Sequence, residues 1–169
     1  MMTKLNVLIL TFNDECHLKN LLQDLISVEN VLVIDSYSTD QTLEIARSFN
    51  RPVHQHEFKN QATQIMWAVK NLFSPDQWIL RLDSDERISN ELLSEIQSEI
   101  ETRDDEFVGY INREMFWMGK KLRYSAIRKH YIARLWKPKN AYYEDIAEEH
   151  LIHDCKAKYF TKKFYENNK

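Results

Sequence analysis

Three short apolar runs, spaced by amphipathic helical patterns, constrain this chain more than anything else in it. Leu5 to Leu10 is apolar except at Asn6, and Val31–Ile34 and Trp78–Leu82 repeat the theme. Runs of this length without alternation read as strands buried on both faces. Between the first two lie Leu18, Leu21, Leu22, Leu25 and Ile26, an i, i+3, i+4 spacing that predicts a helix capped by Asn13 or Asp14. Ser38 and Gln41 form a capping-box pattern ahead of a second helix carrying Leu43, Ala46 and Phe49. A weaker, partly polar strand at 52–58 is expected near a sheet edge. Further helices are expected from about Ala62 to Phe73 and from about Asn90 to Thr102. Strand and helix alternating in this way predict an α/β fold, a mostly parallel sheet with helices on both faces.

From Phe107 onward the pattern changes. Phe107–Asn112 and Tyr131–Trp136 read as strands around an aromatic and basic stretch with no clean helical period. The expected organisation is a single domain over 1–155. Its first part, 1–106, would be the binding half and 107–155 a second half facing the other substrate. Residues 156–169 then read as a short basic and aromatic tail, suited to an anionic membrane surface or left by truncation.

Composition removes several function classes. The chain has 169 residues and two glycines, far below the roughly 7% average. It contains no Gly-x-Gly-x-x-Gly and no Walker-type Gly-Lys-Ser/Thr, so a bound nucleotide must be held by side chains and a metal. No apolar run approaches the ~20 residues that cross a bilayer. The apolar run near the N-terminus reads as a buried strand rather than a signal peptide. Cys16 and Cys155 alone give no disulfide framework, which suits a reducing cytoplasm. Charge is unevenly placed: Asp83–Glu106 carries ten acidic and two basic residues, Arg113–Lys139 nine basic and one acidic. These are either two solvated faces or a cationic wall for a phosphorylated or membrane-bound substrate.

The polar residues that interrupt the apolar pattern gather at the carboxyl ends of the strands, where open parallel sheets bind ligands. Thr11, Phe12 and Asn13 follow the first strand, Asp35 and Ser36 end the second, and Asp83, Ser84 and Asp85 end the fourth. Two carboxylates in Asp83-x-Asp85 can turn toward one hard cation, and Mg²⁺ or Mn²⁺ suits such an oxygen site. Alone, that pair is equally explained as loop or helix-start acids, with Glu86 beside it. Asp35 is harder to explain by capping and could accept from a uracil N–H or a ribose hydroxyl.

These residues resemble a known family. Leu8-Ile9-Leu10-Thr11-Phe12-Asn13-Asp14-Glu15, Val33-Ile34-Asp35-Ser36-Tyr37-Ser38-Thr39-Asp40-Gln41-Thr42 and Trp78-Ile79-Leu80-Arg81-Leu82-Asp83-Ser84-Asp85-Glu86 are similar to the successive signatures of the family 2 glycosyltransferases. Tyr142-Tyr143-Glu144-Asp145 and Glu148-Glu149-His150-Leu151-Ile152 resemble the late acidic motif of the bacterial subgroup that builds lipopolysaccharide core or capsule glycans. The likeness covers about residues 5 to 153.

The resemblance implies a GT-A fold, a nucleotide-sugar donor such as a UDP-sugar, a glycan or glycolipid acceptor, and inversion at the transferred sugar. It implies that Thr11, Phe12, Asn13, Glu15, Asp35 and Ser38 bind the nucleotide-sugar, with Gln61, Arg81, Asp83 and Ser84. Asp85 and Asp83 would hold the metal, and Glu149 occupies the position of the general base. A cytoplasmic location follows, with peripheral contact at the inner membrane, and no nucleic-acid partner.

Arg113, Arg123, Arg128 and Arg134 are candidates for phosphate contacts, or surface charges. Trp67, Trp117 and Trp136 could stack on sugars or pack in the core. His150, His153 and Asp154 could mimic metal ligands, and His54 and His56 are expected to face solvent. Glu148 stands where the family usually has His or Asn, and the glycines often found near 123–127 are missing. An inactive, shortened transferase that still binds nucleotide or a partner is the alternative. A phosphohydrolase would need the Asp-x-Asp after the first strand, and a nucleotidyltransferase a glycine-rich loop; neither is present.

Overall fold

Strand β1 (Leu5–Thr11) is buried along its whole length, because sheet neighbours flank it and helices cover both its faces. The computed structural model describes residues 4–103, 105–117, 120–121, 130–144 and 150–168; of 115–117, 120–121 and 166–168 the backbone alone is described. In chain order the elements are β1, α1 (Glu15–Asp24), β2 (Asn30–Asp35), α2 (Thr42–Ser48), β3 (Val53–Gln55), α3 (Gln61–Leu72), β4 (Trp78–Asp83), β5 (Glu86–Ile88) and α4 (Asn90–Thr102). There follow β6 (Phe107–Trp117), β7 (Lys120–Lys121), β8 (Tyr131–Trp136), β9 (Ala141–Tyr143), β10 (Leu151–His153) and β11 (Lys156–Asn168).

The central sheet runs β3-β2-β1-β4-β8-β6-β11-β5, with β7 hung on β6; β9 and β10 form a separate pair. β3, β2, β1 and β4 are parallel, as expected from the strand–helix alternation. β8 then pairs antiparallel with both β4 and β6, so the second half turns the sheet mixed. Val7 and Ile9 face a core built with α1, α2 and α4; Leu8 and Leu10 face another built with α3 and β9–β10. Both faces of the sheet are therefore covered, which makes the uninterrupted apolar strands intelligible.

Local expectations fail where a long-range partner intervenes. Helix α1 stops at Asp24, so Ile26 falls outside it and is 61% exposed. The Asp24 carboxylate accepts from Arg87 Nε (2.5 Å), Arg87 Nη2 (2.6 Å) and the Ile88 amide (3.3 Å), tying the helix end to β5. Ser38 does not cap α2, which begins at Thr42; Asp40 accepts from the Thr42 amide instead.

Residues 156–168, expected as a tail, are strand β11. It lies parallel to β6 and antiparallel to β5. Its register against β6 shifts between Tyr159 and Lys163, where extra residues bulge out of the ladder. Glu95 of α4 receives the displaced groups, accepting from the Thr161 amide (2.9 Å), the Thr161 hydroxyl (2.9 Å) and the Lys162 amide (3.0 Å). Lys158 reaches Glu99 at 2.6 Å, Lys156 reaches Asp105 at 3.3 Å, and Lys163 pairs with Glu114. Three acids of the 83–106 run, Glu95, Glu99 and Asp105, thus meet β11 within the protein.

Burial opposes ionisation of Glu95, but the Thr161 and Lys162 amides and the Thr161 hydroxyl together hold its carboxyl below the usual range. A depressed folded pKa contributes stability above the unfolded value and loses it as pH falls through the folded one. Glu95→Ala is expected to cost roughly 0.5–1.5 kcal/mol at neutral pH, with the difference from the parent shrinking below about pH 4. Urea unfolding at both pH values checks this; an equal loss at both would contradict the assignment.

Candidate functional site

The register of the parallel strands brings their ends level: Thr11 pairs with Asp35, and Leu10 with Asp83. Beyond them opens a cleft of about 1370 Å³, lined by Thr11 to Asp14, Ser36 and Tyr37, and Asp83 to Glu86 on this side. Residues of β6 and β8, with His150 and Leu151, line the rest of it.

Two strand-to-helix loops form one edge and are laced together. The Asn13 amide donates to Ser38 Oγ (2.8 Å) and the Thr39 amide to Asn13 Oδ1 (2.8 Å). The Gln41 amide donates to Glu15 Oε2 (2.9 Å), while the Glu15 amide donates to Asp40 (3.2 Å). Asp35 is fully buried and accepts from the Ser38 amide (2.9 Å), the Ser38 hydroxyl and Gln55 Nε2 (3.0 Å). Of the residues named from the sequence, Thr11, Phe12, Asn13, Gln61, Asp83, Ser84 and Asp85 line the cleft. Glu15, Asp35 and Ser38 sit behind it, shaping the loops that carry Phe12 and Tyr37. Asn13 and Tyr37 have φ of 46° and 62°, a left-handed conformation uncommon outside glycine and concentrated at functional sites.

The floor is an interleaved charge network. Asp83 accepts from Arg81 Nη2 through Oδ1 (2.5 Å) and from Arg134 Nη2 through Oδ2 (3.0 Å). Arg134 Nη2 also donates to Glu86 Oε1 (2.5 Å), and the Asp83 amide donates to Glu86 Oε2 (3.0 Å). Arg81, Arg134 and Glu86 are each buried to within 1%. Burial, and after it the charge of Asp83, pushes the Glu86 carboxyl well above its ordinary range; Arg81 pulls the other way. Glu86 was legible only as a loop acid, and Arg134 only as a phosphate candidate. No local signal shows that 48 residues apart they pair in the core.

Three carboxylates (Asp83, Asp85, Glu86) and two guanidiniums meet here, and burial opposes the ionisation of Glu86. Both oxygens of Asp83 are engaged by arginine, and Asp85 lines the cleft two residues on. Among the described residues no group of three or more His, Cys, Asp or Glu could hold a metal unaided. One or two carboxylates completed by phosphate oxygens and water are what Mg²⁺ accepts, so the residues fit a metal that arrives with a phosphorylated ligand.

The remaining sequence candidates are placed as follows. Glu149, Glu148, Arg123 and Arg128 lie outside the described residues, and nothing is described of the Trp117 side chain. Trp136 is core, at 1% exposure, and Trp67 stacks on His56 with ring centroids 4.3 Å apart. His153 bonds Tyr110 rather than joining a metal cluster. Arg113 lines the cleft beside His130, and His17 pairs with Asp14 at 2.6 Å on the cleft wall. His17, Tyr110, His130 and Tyr131 were not singled out from the sequence, where lone aromatic and histidine positions carry no pattern.

The profile of Glycosyl transferase family 2 matches residues 6–163. The chain belongs to this family. An uncharacterized glycosyltransferase of Rickettsia typhi is 29% identical over 97 residues, 57% of this chain and 32% of the relative. The lipopolysaccharide core biosynthesis glycosyltransferase LpsC of Rhizobium meliloti is 26% identical over 121 residues, 68% of this chain and 44% of LpsC. The chain thus spans from about a third to under half of these relatives' lengths.

Among solved structures, S. aureus TarS residues 1–349 superimposes with a TM-score of 0.66 at 17% identity, covering 96% of this chain and 60% of that one. Glucosyl-3-phosphoglycerate synthase from Mycobacterium tuberculosis, solved with Mn²⁺ and UDP, gives 0.51 at 15% identity over 69% of this chain and 44% of that one. The fold is the GT-A fold. Among the described residues no helix is long and apolar enough to cross a membrane.

Proposed function

We propose that this chain transfers a sugar with inversion from a nucleotide-diphospho-sugar, a UDP-sugar, to a saccharide acceptor of lipopolysaccharide core or a related surface glycan. The observation that carries it is the acidic, arginine-framed floor at the level carboxyl ends of β1, β2 and β4, in a family 2 chain without a glycine phosphate loop. LpsC, named for lipopolysaccharide core biosynthesis, supports the acceptor class, and the synthase solved with Mn²⁺ and UDP supports the donor.

Thr11, Phe12 and Asn13 hold base and ribose, with Gln61 across the cleft. Asp35, Ser38 and Glu15 act by fixing those loops. Arg81 and Arg134 orient Asp83 from beneath. A Mg²⁺ or Mn²⁺ ion held by Asp85, with Asp83 beside it, supplies Lewis-acid neutralisation of the leaving diphosphate when bound. Glu149 takes the acceptor hydroxyl proton as that oxygen bonds to the anomeric carbon from the face opposite the diphosphate. The bond from that carbon to the phosphate oxygen breaks, UDP departs, and the anomeric configuration inverts.

The test is UDP release from UDP-sugars with lipopolysaccharide core fractions, with and without EDTA, and the anomeric proton coupling of the product. Metal-dependent release with an inverted product is expected. Glu149→Gln is expected to lower turnover on the order of 10²–10⁴-fold while UDP affinity holds. Turnover unchanged in that variant would remove Glu149 from the role. No release from UDP-, GDP- or ADP-sugars would overturn the transferase reading.

A further inference from the structure

Where β6 and β8 line the cleft, it carries tyrosines that the transfer chemistry does not use. Tyr110 of β6 and Tyr131 of β8 line the cleft, and Tyr159 of β11 stands against them, 55% exposed. Tyr110 and Tyr159 are register partners on adjacent strands, stacked with centroids 5.3 Å apart at 29°. Tyr131 meets Tyr159 edge-on, at 5.0 Å and 85°.

This cluster is pinned from behind. His153 Nδ1 lies 3.1 Å from the Cys155 carbonyl, which can only accept, so Nδ1 carries the hydrogen. Nε2 is then an acceptor, and the Tyr110 hydroxyl donates to it at 2.8 Å. Burial, and after it the neighbouring Tyr159, pushes the Tyr110 phenol up, so it remains a donor. The Tyr110 hydroxyl is thus committed inward, and what its ring and its neighbours offer the cleft is aromatic surface.

We propose that Tyr110, Tyr131 and Tyr159 form the acceptor subsite, a platform for one hexopyranose ring. A pyranose has an apolar C–H face ringed by hydroxyls, so its binding site needs an aromatic surface with polar groups at the margin. Tyr131 follows His130 in the chain, and His130 with Arg113 lines the same cleft. A lipid chain would have no use for that polar margin. The sheet order supports the assignment: the proposed donor loops follow β2, β1 and β4, while the tyrosines stand on β8, β6 and β11 of the same sheet. The identification of the occupant as the acceptor rests on the transferase reading; the platform's affinity for a sugar ring does not. Tyr131 and Tyr159 touch the sugar, whereas His153 is a positioning residue acting through Tyr110.

The experiment is NMR on protein with ¹³C-labelled tyrosine rings, titrated with methyl glucopyranoside and methyl galactopyranoside, with UDP affinity measured on the same samples. Either glycoside is expected to shift the Tyr131 and Tyr159 ring signals. Tyr159→Leu, which keeps apolar volume but lacks a ring, is expected to weaken glycoside binding on the order of 10-fold. Tyr159→Phe keeps the binding, and UDP affinity is the same in all three proteins. His153→Ala is expected to shift the Tyr110 ring signals before any glycoside is added and to weaken glycoside binding. Glycosides that move no tyrosine signal, or that bind Tyr159→Leu as tightly as the parent, overturn the platform. Equal shifts from hexanol overturn the sugar assignment in favour of an alkyl chain. Tyrosine shifts in a protein that does not bind UDP support the platform and count against the donor reading alone.

Discussion

Asp85→Ala is expected to reduce sugar transfer on the order of 10²–10³-fold while leaving the fold intact. Asp85 lines the cleft and is half-buried, whereas Glu86 beside it is core. Its neighbour two positions back is different. Asp83 joins Arg81 to Arg134, so removing it disturbs the buried network as well as the cleft. Asp85→Asn, which keeps the shape and loses the charge, should fail as badly as Asp85→Ala. Turnover and thermal unfolding measured together check the claim: lost activity with an unfolding midpoint within a few degrees of the parent is expected. An active Asp85→Asn would show that a charged carboxylate is not required there.

Arg134→Met is expected to be the most destabilising change considered, by about 3–5 kcal/mol. Arg134 lies buried between Asp83 and Glu86 and stacks over Phe164 at 5.5 Å. Removing it strands Glu86 in the core, where an uncompensated charge is far more costly than a missing contact. The effect should depend on pH. Glu86 has a folded pKa raised above its unfolded value, so the native state binds the extra proton and stability falls as pH rises through that interval. Arg134→Met should steepen that fall, and Arg134→Met combined with Glu86→Leu should recover much of the loss. Denaturant unfolding from pH 5 to 8 measures both; additive losses in the double variant would contradict the pairing.

The parallel half of the fold was legible because its signals are local. The i, i+3, i+4 spacing of Leu18, Leu21 and Leu22 and the unbroken apolar strands carry their own periodicity, and the strand ends located the cleft. What escaped has its cause in contacts far along the chain. Ile26 leaves the helix because Arg87 and Ile88 take hold of Asp24. Glu86 belongs to a three-residue strand that exists only through pairing with β11. The stretch from Lys156 onward shows lysines and aromatics together, and only its contacts with α4 and β6 show that the lysines answer Glu99, Asp105 and Glu114. Within the site, the sequence marked Asp35 for its position at a strand end and Ser38 through the family resemblance. Their hydrogen bonds run inward, and the cleft face falls to their neighbours Ser36 and Tyr37.

In the proposed function, the acidic floor binds a nucleoside diphosphate through a divalent ion. Calorimetric titration of UDP into the protein, with Mg²⁺, with Mn²⁺ and with EDTA, tests it most directly. Saturable binding with either ion and its loss in EDTA are the predicted results. Binding of equal strength in EDTA, or none with either ion, would contradict the account.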